Sequence, residues 1–420
     1  MNTASDVIDQ YESNVRSYVR SFPVSFSKAE GSYIWDEEGR RYIDFFAGAG
    51  ALNYGHNEPT MVRALIEYLQ SNGIIHGLDM ATRAKAAFIK EFATTILTPR
   101  GLDYKLQFTG PTGTNAVEAA LKIARLATGR HNVIAFSHSF HGVSLGSLAA
   151  TSNSWFRNAS GTPLSGTVFL PYDDYVDGLD SIAYLEKVLD DPSSGVDLPA
   201  AVIVELVQGE GGVNVASAEW IKRLRDLTAR RGILLIVDDV QAGCGRTGDF
   251  FSFEFAEIHP DVVVLSKSIS GIGLPMALVL LKPELDIWKP GQHNGTFRGN
   301  NLAFVAGLKA LEKFWRSDEL SADVKRKEKI VRERLERIKD LYPETFTTVR
   351  GRGLLCGLVC REAEMAKTIT KLCFEEGLII ETAGAKDEVV KFIPALTISE
   401  EVLIEGLDLL EKAIHSTLNK

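Results

Sequence analysis

Cysteine is scarce in this chain. Its four residues, Cys244, Cys356, Cys360 and Cys373, are too few and too irregularly spaced for a disulfide framework or a zinc knuckle. Cys356 and Cys360 flank the apolar run Gly357-Leu358-Val359 and read as small core residues. Long apolar stretches are missing too, and with them a membrane-spanning helix. The opening segment MNTASDVIDQYESNVR lacks a basic stretch followed by an apolar one, so a secretory leader is not expected and a reducing cytoplasm is. Positive charge is in deficit: 46 Lys and Arg face 55 Asp and Glu, a formal net charge of −9. That balance argues against nucleic acid or a membrane surface as partner. The basic run Lys325-Arg326-Lys327 lies among acids at helical spacing and reads as a solvated face. No internal repeat, low-complexity tract, long linker or metal-ligand spacing is evident.

What is present is an alternation of buried-strand and helix signals. Val133–Phe136, Ala201–Val204, Leu234–Val237 and Val262–Leu265 are nearly continuous apolar runs rich in β-branched residues, suited to strands buried on both faces. Between the second and third lies the amphipathic segment Ala218–Leu227, ended near Arg231-Gly232. Such units predict a wound, mainly parallel α/β sheet. Ser32–Trp35 and Arg41–Asp44, around Asp36-Glu37-Glu38-Gly39, predict a hairpin outside that sheet. After Arg316 a charged helix, a strand-like run over Val349–Leu358 and another helix predict a smaller α+β domain. The division expected is 1–60 for the N-terminal part of the small domain, 61–314 for the large domain and 315–420 for the rest of the small one.

In open α/β sheets, ligands bind beyond the carboxyl ends of the strands. Three apolar runs end there in polar residues: one in Glu205, one in Asp238-Asp239-Val240-Gln241, one in Ser266-Lys267-Ser268. Desolvation at such a place favours the neutral amine of Lys267, which can attack a carbonyl. Alternatively, its stem crosses the sheet edge to solvent. Asp238 needs a cationic partner if buried, and a protonated ring nitrogen would serve, as would an arginine or a loop to cap. Thr109-Gly110-Pro111-Thr112-Gly113-Thr114-Asn115 leads into a strong helix from Ala116. Free N–H groups and the positive end of the dipole suit a phosphate there, although glycine and threonine before a helix are often simple caps.

Taken in order, these segments resemble a class III aminotransferase of the fold-type I pyridoxal-phosphate family. The resemblance runs from Asn53-Tyr54-Gly55-His56-Asn57-Glu58-Pro59 to Lys391-Phe392-Ile393-Pro394. It implies pyridoxal 5′-phosphate as cofactor, with Lys267 as the Schiff-base lysine and proton shuttle, and Asp238 at the ring nitrogen. It implies Gln241 at the phenolic oxygen, Phe140 stacked on the ring, and Gly113 and Thr114 at the phosphate. Thr296 would reach in from a second subunit, so a homo-oligomer is implied: a dimer at minimum, with a dimer of dimers open. His141 is expected to be structural.

The departures from the family pattern bear on substrate. Val143 follows His141-Gly142 where many relatives carry an arginine, and Lys391 stands where others carry the arginine that grips a substrate carboxylate. A lysine is a point charge without the planar fork of arginine. Glu205 and Glu210 match acidic pocket positions, and a Glu210–Lys391 switch is expected to govern carboxylate entry. Asn115, Asp239 and Arg298, with Ala47–Asn57 and His293–Thr296, resemble the diaminobutyrate-forming branch of the family. That implies amino transfer from L-glutamate to L-aspartate 4-semialdehyde in ectoine biosynthesis, an osmoadaptive role, and leaves room for stimulation by potassium. Other readings stay open: an ω-aminotransferase for ornithine, 4-aminobutyrate or a polyamine; an aminomutase or racemase; and a catalytically silent cofactor-binding regulator.

Overall fold

The structure, a computed structural model, describes residues 4–418. The outermost residues of the expected end segments, 1–3 and 419–420, lie outside it. In the N-terminal part, β1 (Phe26–Glu30), β2 (Tyr33–Asp36) and β3 (Arg41–Asp44) form an antiparallel meander. The predicted hairpin is β2–β3, and Asp36 Oδ1 accepts the N–H groups of Glu38 and Arg40 to close its turn.

The central region holds β4 (Lys105–Phe108), β5 (Val133–Phe136), β6 (Thr167–Leu170) and β7 (Ala201–Val204). A short ribbon follows, β8 (Val207–Gln208) with β9 (Asn214–Val215), then β10 (Leu234–Asp238), β11 (Val262–Leu265) and β12 (Leu278–Leu281). Seven of these form one sheet in the order β4-β12-β11-β10-β7-β5-β6. Only β12 runs against its neighbours. Every residue of β5, β7, β11 and β12 is buried, so backbone pairing and apolar packing on both faces hold the same strands. The helix Gly113–Thr128 buries Ala116, Val117, Ala119, Ala120, Leu121 and Ala124 against this sheet. Thr112 caps it, and Gly129 ends it in the left-handed region at φ 69°. The predicted crossover helix spans Ala218–Arg230. Its buried Trp220, Ile221, Leu224 and Leu227 lie on one stripe.

Beyond the helix Glu319–Leu341 come β13 (Phe346–Arg352), β14 (Leu355–Cys360), β15 (Leu378–Ile379), β16 (Glu381–Ala383) and β17 (Val389–Phe392). The strand-like run expected over Val349–Leu358 is two strands. Gly353, at φ 61°, turns the chain between them, and β13 and β14 pair antiparallel from Phe346↔Cys360 to Arg352↔Leu355. β15 pairs in parallel with β3, which brings the C-terminal part of the chain beside the N-terminal meander. All four cysteines are buried and free. Among the described residues no helix is long and apolar enough to cross a membrane, and no cluster of His, Cys, Asp or Glu could hold a metal ion.

Candidate active site

β7, β10 and β11 are adjacent and parallel, so Glu205, Asp238 and Lys267 emerge at the same end of the sheet. Lys267 opens a single 3-10 turn, Lys267–Ser270, with φ at 50°. A side-chain-bearing residue held in the left-handed region costs about 1–3 kcal/mol, a strain that clusters at functional positions. Its Nζ donates to the carbonyl of Ala49 at 2.8 Å. Burial is the main cause that pulls this amine down to about 8; the Lys391 charge adds to the effect, while Glu210, Glu381 and Asp238 oppose it. A lysine so placed has a sizeable neutral fraction near neutral pH.

Asp238 is buried, and its Oδ2 lies 2.7 Å from Nδ1 of His141, while its Oδ1 accepts the N–H of Val240. His141 is itself fully buried. Burial pushes its imidazole down, but the hydrogen bond and charge of Asp238 more than offset this and raise it. The structure therefore gives His141 a specific duty, that of orienting the Asp238 carboxylate. Gln241 donates through Nε2 to Ala49 O at 3.1 Å and to Glu210 Oε1 at 3.3 Å, so it shares an acceptor with Lys267. Glu205 accepts the N–H of Phe140 at 2.9 Å. Burial raises it to about 7, with His141 opposing and Asp238 adding.

At the phosphate cradle, Thr112 Oγ1 accepts the N–H of Asn115 at 3.3 Å. The first N–H groups of the helix, at Gly113 and Thr114, have no carbonyl of a preceding turn to bond. Thr114 Oγ1 meets Ser144 Oγ at 2.7 Å and also Ser147 Oγ, a hydroxyl cluster that the sequence reading did not include. Phe140 is half-buried and packs edge-on to Phe156 at 5.2 Å between centroids. Thr296 is exposed in a loop beyond Gly291, and a Cβ on its neighbour Gly295 would lie 3.5 Å from the backbone nitrogen of Gly110. Val143 is exposed as well.

Lys391 is fully buried on β17. Its Nζ lies 2.8 Å from Glu210 Oε1 and 2.8 Å from Glu381 Oε1. Glu210 and Lys391 thus form an ion pair, with a second carboxylate beside it. Burial opposes its charge, but Glu210 and Glu381 together raise the ammonium above its usual value. Burial works against Glu210 as well, yet the Lys391 and Lys267 charges hold it down at about 2. Tyr18 stands near the same trio and feels the charges of Glu381, Glu210 and Lys391. Glu381, Tyr18 and the Ala49 carbonyl were absent from the predicted set. An acid directly after the apolar Leu378-Ile379-Ile380 was the one available signal for Glu381.

The residues present fit pyridoxal phosphate. An anion cradle, a depressed lysine and a buried carboxylate converge at one sheet end. Oε1 of Gln241 and Nε2 of His141 are buried with no hydrogen-bond partner in the protein, and natural sites rarely leave such atoms unsatisfied. Gly209 lets the backbone approach closely; a Cβ there would fall 1.6 Å from Gln241 Oε1.

Comparison with known proteins agrees with this geometry. The family model Aminotransferase class-III matches residues 15–414. The diaminobutyrate–2-oxoglutarate transaminase of Bordetella parapertussis (strain 12822) is 60% identical over 416 residues, covering 99% of this chain and 96% of that protein. The protein of the same name from Virgibacillus pantothenticus is 56% identical over 414 residues, covering 99% and 100%. Among solved structures, the ornithine aminotransferase of Toxoplasma gondii, with partial occupancy of PLP at its active site, superposes with a TM-score of 0.84. It is 28% identical, with 99% of this chain and 95% of that one covered.

Proposed function

Because the chain belongs to the class III aminotransferase family, a family that uses pyridoxal phosphate, we propose that it transfers the amino group of L-glutamate to L-aspartate 4-semialdehyde. The products are L-2,4-diaminobutyrate and 2-oxoglutarate. The observation that carries this reading is the shared sheet end of Lys267 and Asp238, in a chain 60% identical to a diaminobutyrate–2-oxoglutarate transaminase. Ectoine biosynthesis, a cytoplasmic location and a homo-oligomer with Thr296 lent to a partner's site belong to the same reading. So does a small domain built from 1–60 and 315–420 around the large domain 61–314. The β3–β15 pairing supports that division.

When bound, pyridoxal phosphate supplies a carbonyl that accepts amines and a ring that draws electrons from a substrate's α-carbon. Gly113 and Thr114 would hold its phosphate with helix N–H groups. Asp238, oriented by His141, would face the ring nitrogen and hold its proton there. Gln241 would bond the phenolic oxygen and Phe140 would cover the ring face. Lys267 Nζ, held at about 8 by burial, would be the group that takes the proton from the substrate α-carbon. A general base of this kind contributes about 10²–10⁴-fold in rate. Glu210 swings from Lys391 when the donor brings a carboxylate and returns when the semialdehyde occupies the pocket. Glu205 lines the same space.

The test is a comparison of purified protein with L-glutamate and aspartate semialdehyde against ornithine and 4-aminobutyrate as donors. The reading expects the first pair to turn over fastest. Equal or better rates with the others would overturn the substrate assignment and leave an aminotransferase of another specificity.

A further inference from the structure

Two carboxylates hold Lys391, and they are not equivalent. Glu381 sits directly across from it, in the register pair Glu381↔Lys391 between β16 and β17. Its side chain is 7% exposed, so strand pairing and packing fix it in place. Glu210 rides on the turn between β8 and β9, and its side chain is 31% exposed. The carboxylate borne by the turn is the one free to leave. The lysine itself has no exposed side-chain surface, and a buried ammonium stripped of every partner is strongly disfavoured. Glu381 removes that obstacle, because Lys391 keeps a partner after Glu210 leaves and until the donor's carboxylate arrives.

The same arrangement sets a charge problem. The groups that face Glu381 are Lys391 from β17, Glu210 from the β8–β9 turn, Lys267 from the turn after β11 and Tyr18 from the N-terminal segment. A donor carboxylate at Lys391 would be the third negative group around one ammonium, with Glu210 displaced yet still close on its short turn. Buried like charges at this range repel strongly unless one is neutralised. Glu210 has a second donor in Gln241 and some access to solvent. Glu381 has neither a backbone N–H nor a second side-chain donor among the described contacts, and its Oε1 makes no well-directed hydrogen bond even to Lys391.

We propose that Glu381 is a positioning residue that takes up one proton from solvent when a carboxylate-bearing donor settles on Lys391. The protonated carboxyl holds the ammonium without competing for its charge, and the donor's carboxylate takes the place of Glu210. The proposal rests on the reading that the donor carboxylate binds at Lys391. Burial first, and Glu210 second among the raising causes, already put Glu381 at about 7, with Lys391 and Lys267 opposing. A carboxylate arriving nearby raises it further. Donor affinity therefore weakens as pH climbs above about 7, while a Glu381→Gln variant, neutral and of the same shape, loses that dependence.

The experiment is isothermal titration of the holoenzyme with glutarate, a dicarboxylate without an amino group to react. It is run near neutral pH in two buffers of different ionisation enthalpy. Wild type should show net proton uptake per site, and Glu381→Gln close to none, with a KM for L-glutamate that changes less with pH. Absence of uptake in the wild type, or equal uptake in the variant, overturns the proposal. If Glu381→Gln does not fold, the infrared difference spectrum of wild type decides. A protonated-carboxyl band must appear on adding glutarate, and its absence overturns the proposal. Failure of glutarate to bind at all would remove the donor-site reading, and this proposal with it.

Discussion

Replacing Lys391 by methionine removes the charge shared by Glu210 and Glu381 while keeping the length of the side chain. The Lys391 charge is the largest of the influences that hold Glu210 at about 2 against an ordinary 4.5, in the face of burial. A displacement of that size corresponds to about 3 kcal/mol. Removing one partner of a buried pair costs about 3–5 kcal/mol in general, so the two figures agree. The sign with pH is definite. In the wild type the Glu210 contribution is complete above 4.5 and fades only as pH falls toward about 2. In Lys391→Met both carboxyls rise, because burial acts on them without the lysine to oppose it. The deficit is therefore largest near pH 8, at about 3 kcal/mol, and shrinks toward pH 5 as both carboxyls protonate. Urea unfolding followed by circular dichroism, at matched protein concentration because any oligomer couples to folding, measures it. A deficit independent of pH, or below about 0.5 kcal/mol at pH 8, would refute the reasoning.

Uptake of pyridoxal phosphate by the cofactor-free protein should accelerate as pH rises through about 8, since only the neutral Lys267 amine attacks a carbonyl. Stopped-flow absorbance that shows no change from neutral pH through this range would contradict the depressed lysine. His141→Leu leaves the Asp238 carboxylate without its hydrogen-bond partner, a loss of about 1.5–3 kcal/mol for a bond to a charged group. The glutamate half-reaction should slow by about 10–150-fold, and a rate within twofold of wild type would show that Asp238 needs no such support. Thr296→Ala should weaken cofactor retention. Mixing it with Lys267→Ala subunits should restore part of the lost cofactor binding if Thr296 serves a partner's site; no restoration would place Thr296 with its own chain.

Much of the sheet was legible because β5, β7, β10 and β11 are buried on both faces and so read as unbroken apolar runs. The antiparallel setting of β12 was not, since direction is decided by pairing with β4 and β11, not by its leucines and valine. The turn at Gly353 was passed over because apolar residues continue on both sides of it. At the site, Lys267, Asp238 and Gln241 carry their chemistry in side chains at or just beyond the ends of apolar runs, where a polar residue stands out, and the parallel pairing of β10 with β11 brings them together. Ala49 contributes only a carbonyl oxygen, which no side-chain pattern announces. His141 meets Asp238 from 97 residues away, and Glu381 meets Lys391 through strand register. Both contacts exist only once the topology is known.

The central claim is that Lys267 carries the cofactor, and borohydride reduction tests it most directly. Reduction fixes the lysine–cofactor linkage, and proteolysis with mass spectrometry then locates the adduct. The account predicts a single modified peptide bearing the adduct on Lys267, and a Lys267→Ala protein with neither adduct nor visible absorbance. An adduct on another lysine, or one that survives in Lys267→Ala, would contradict it.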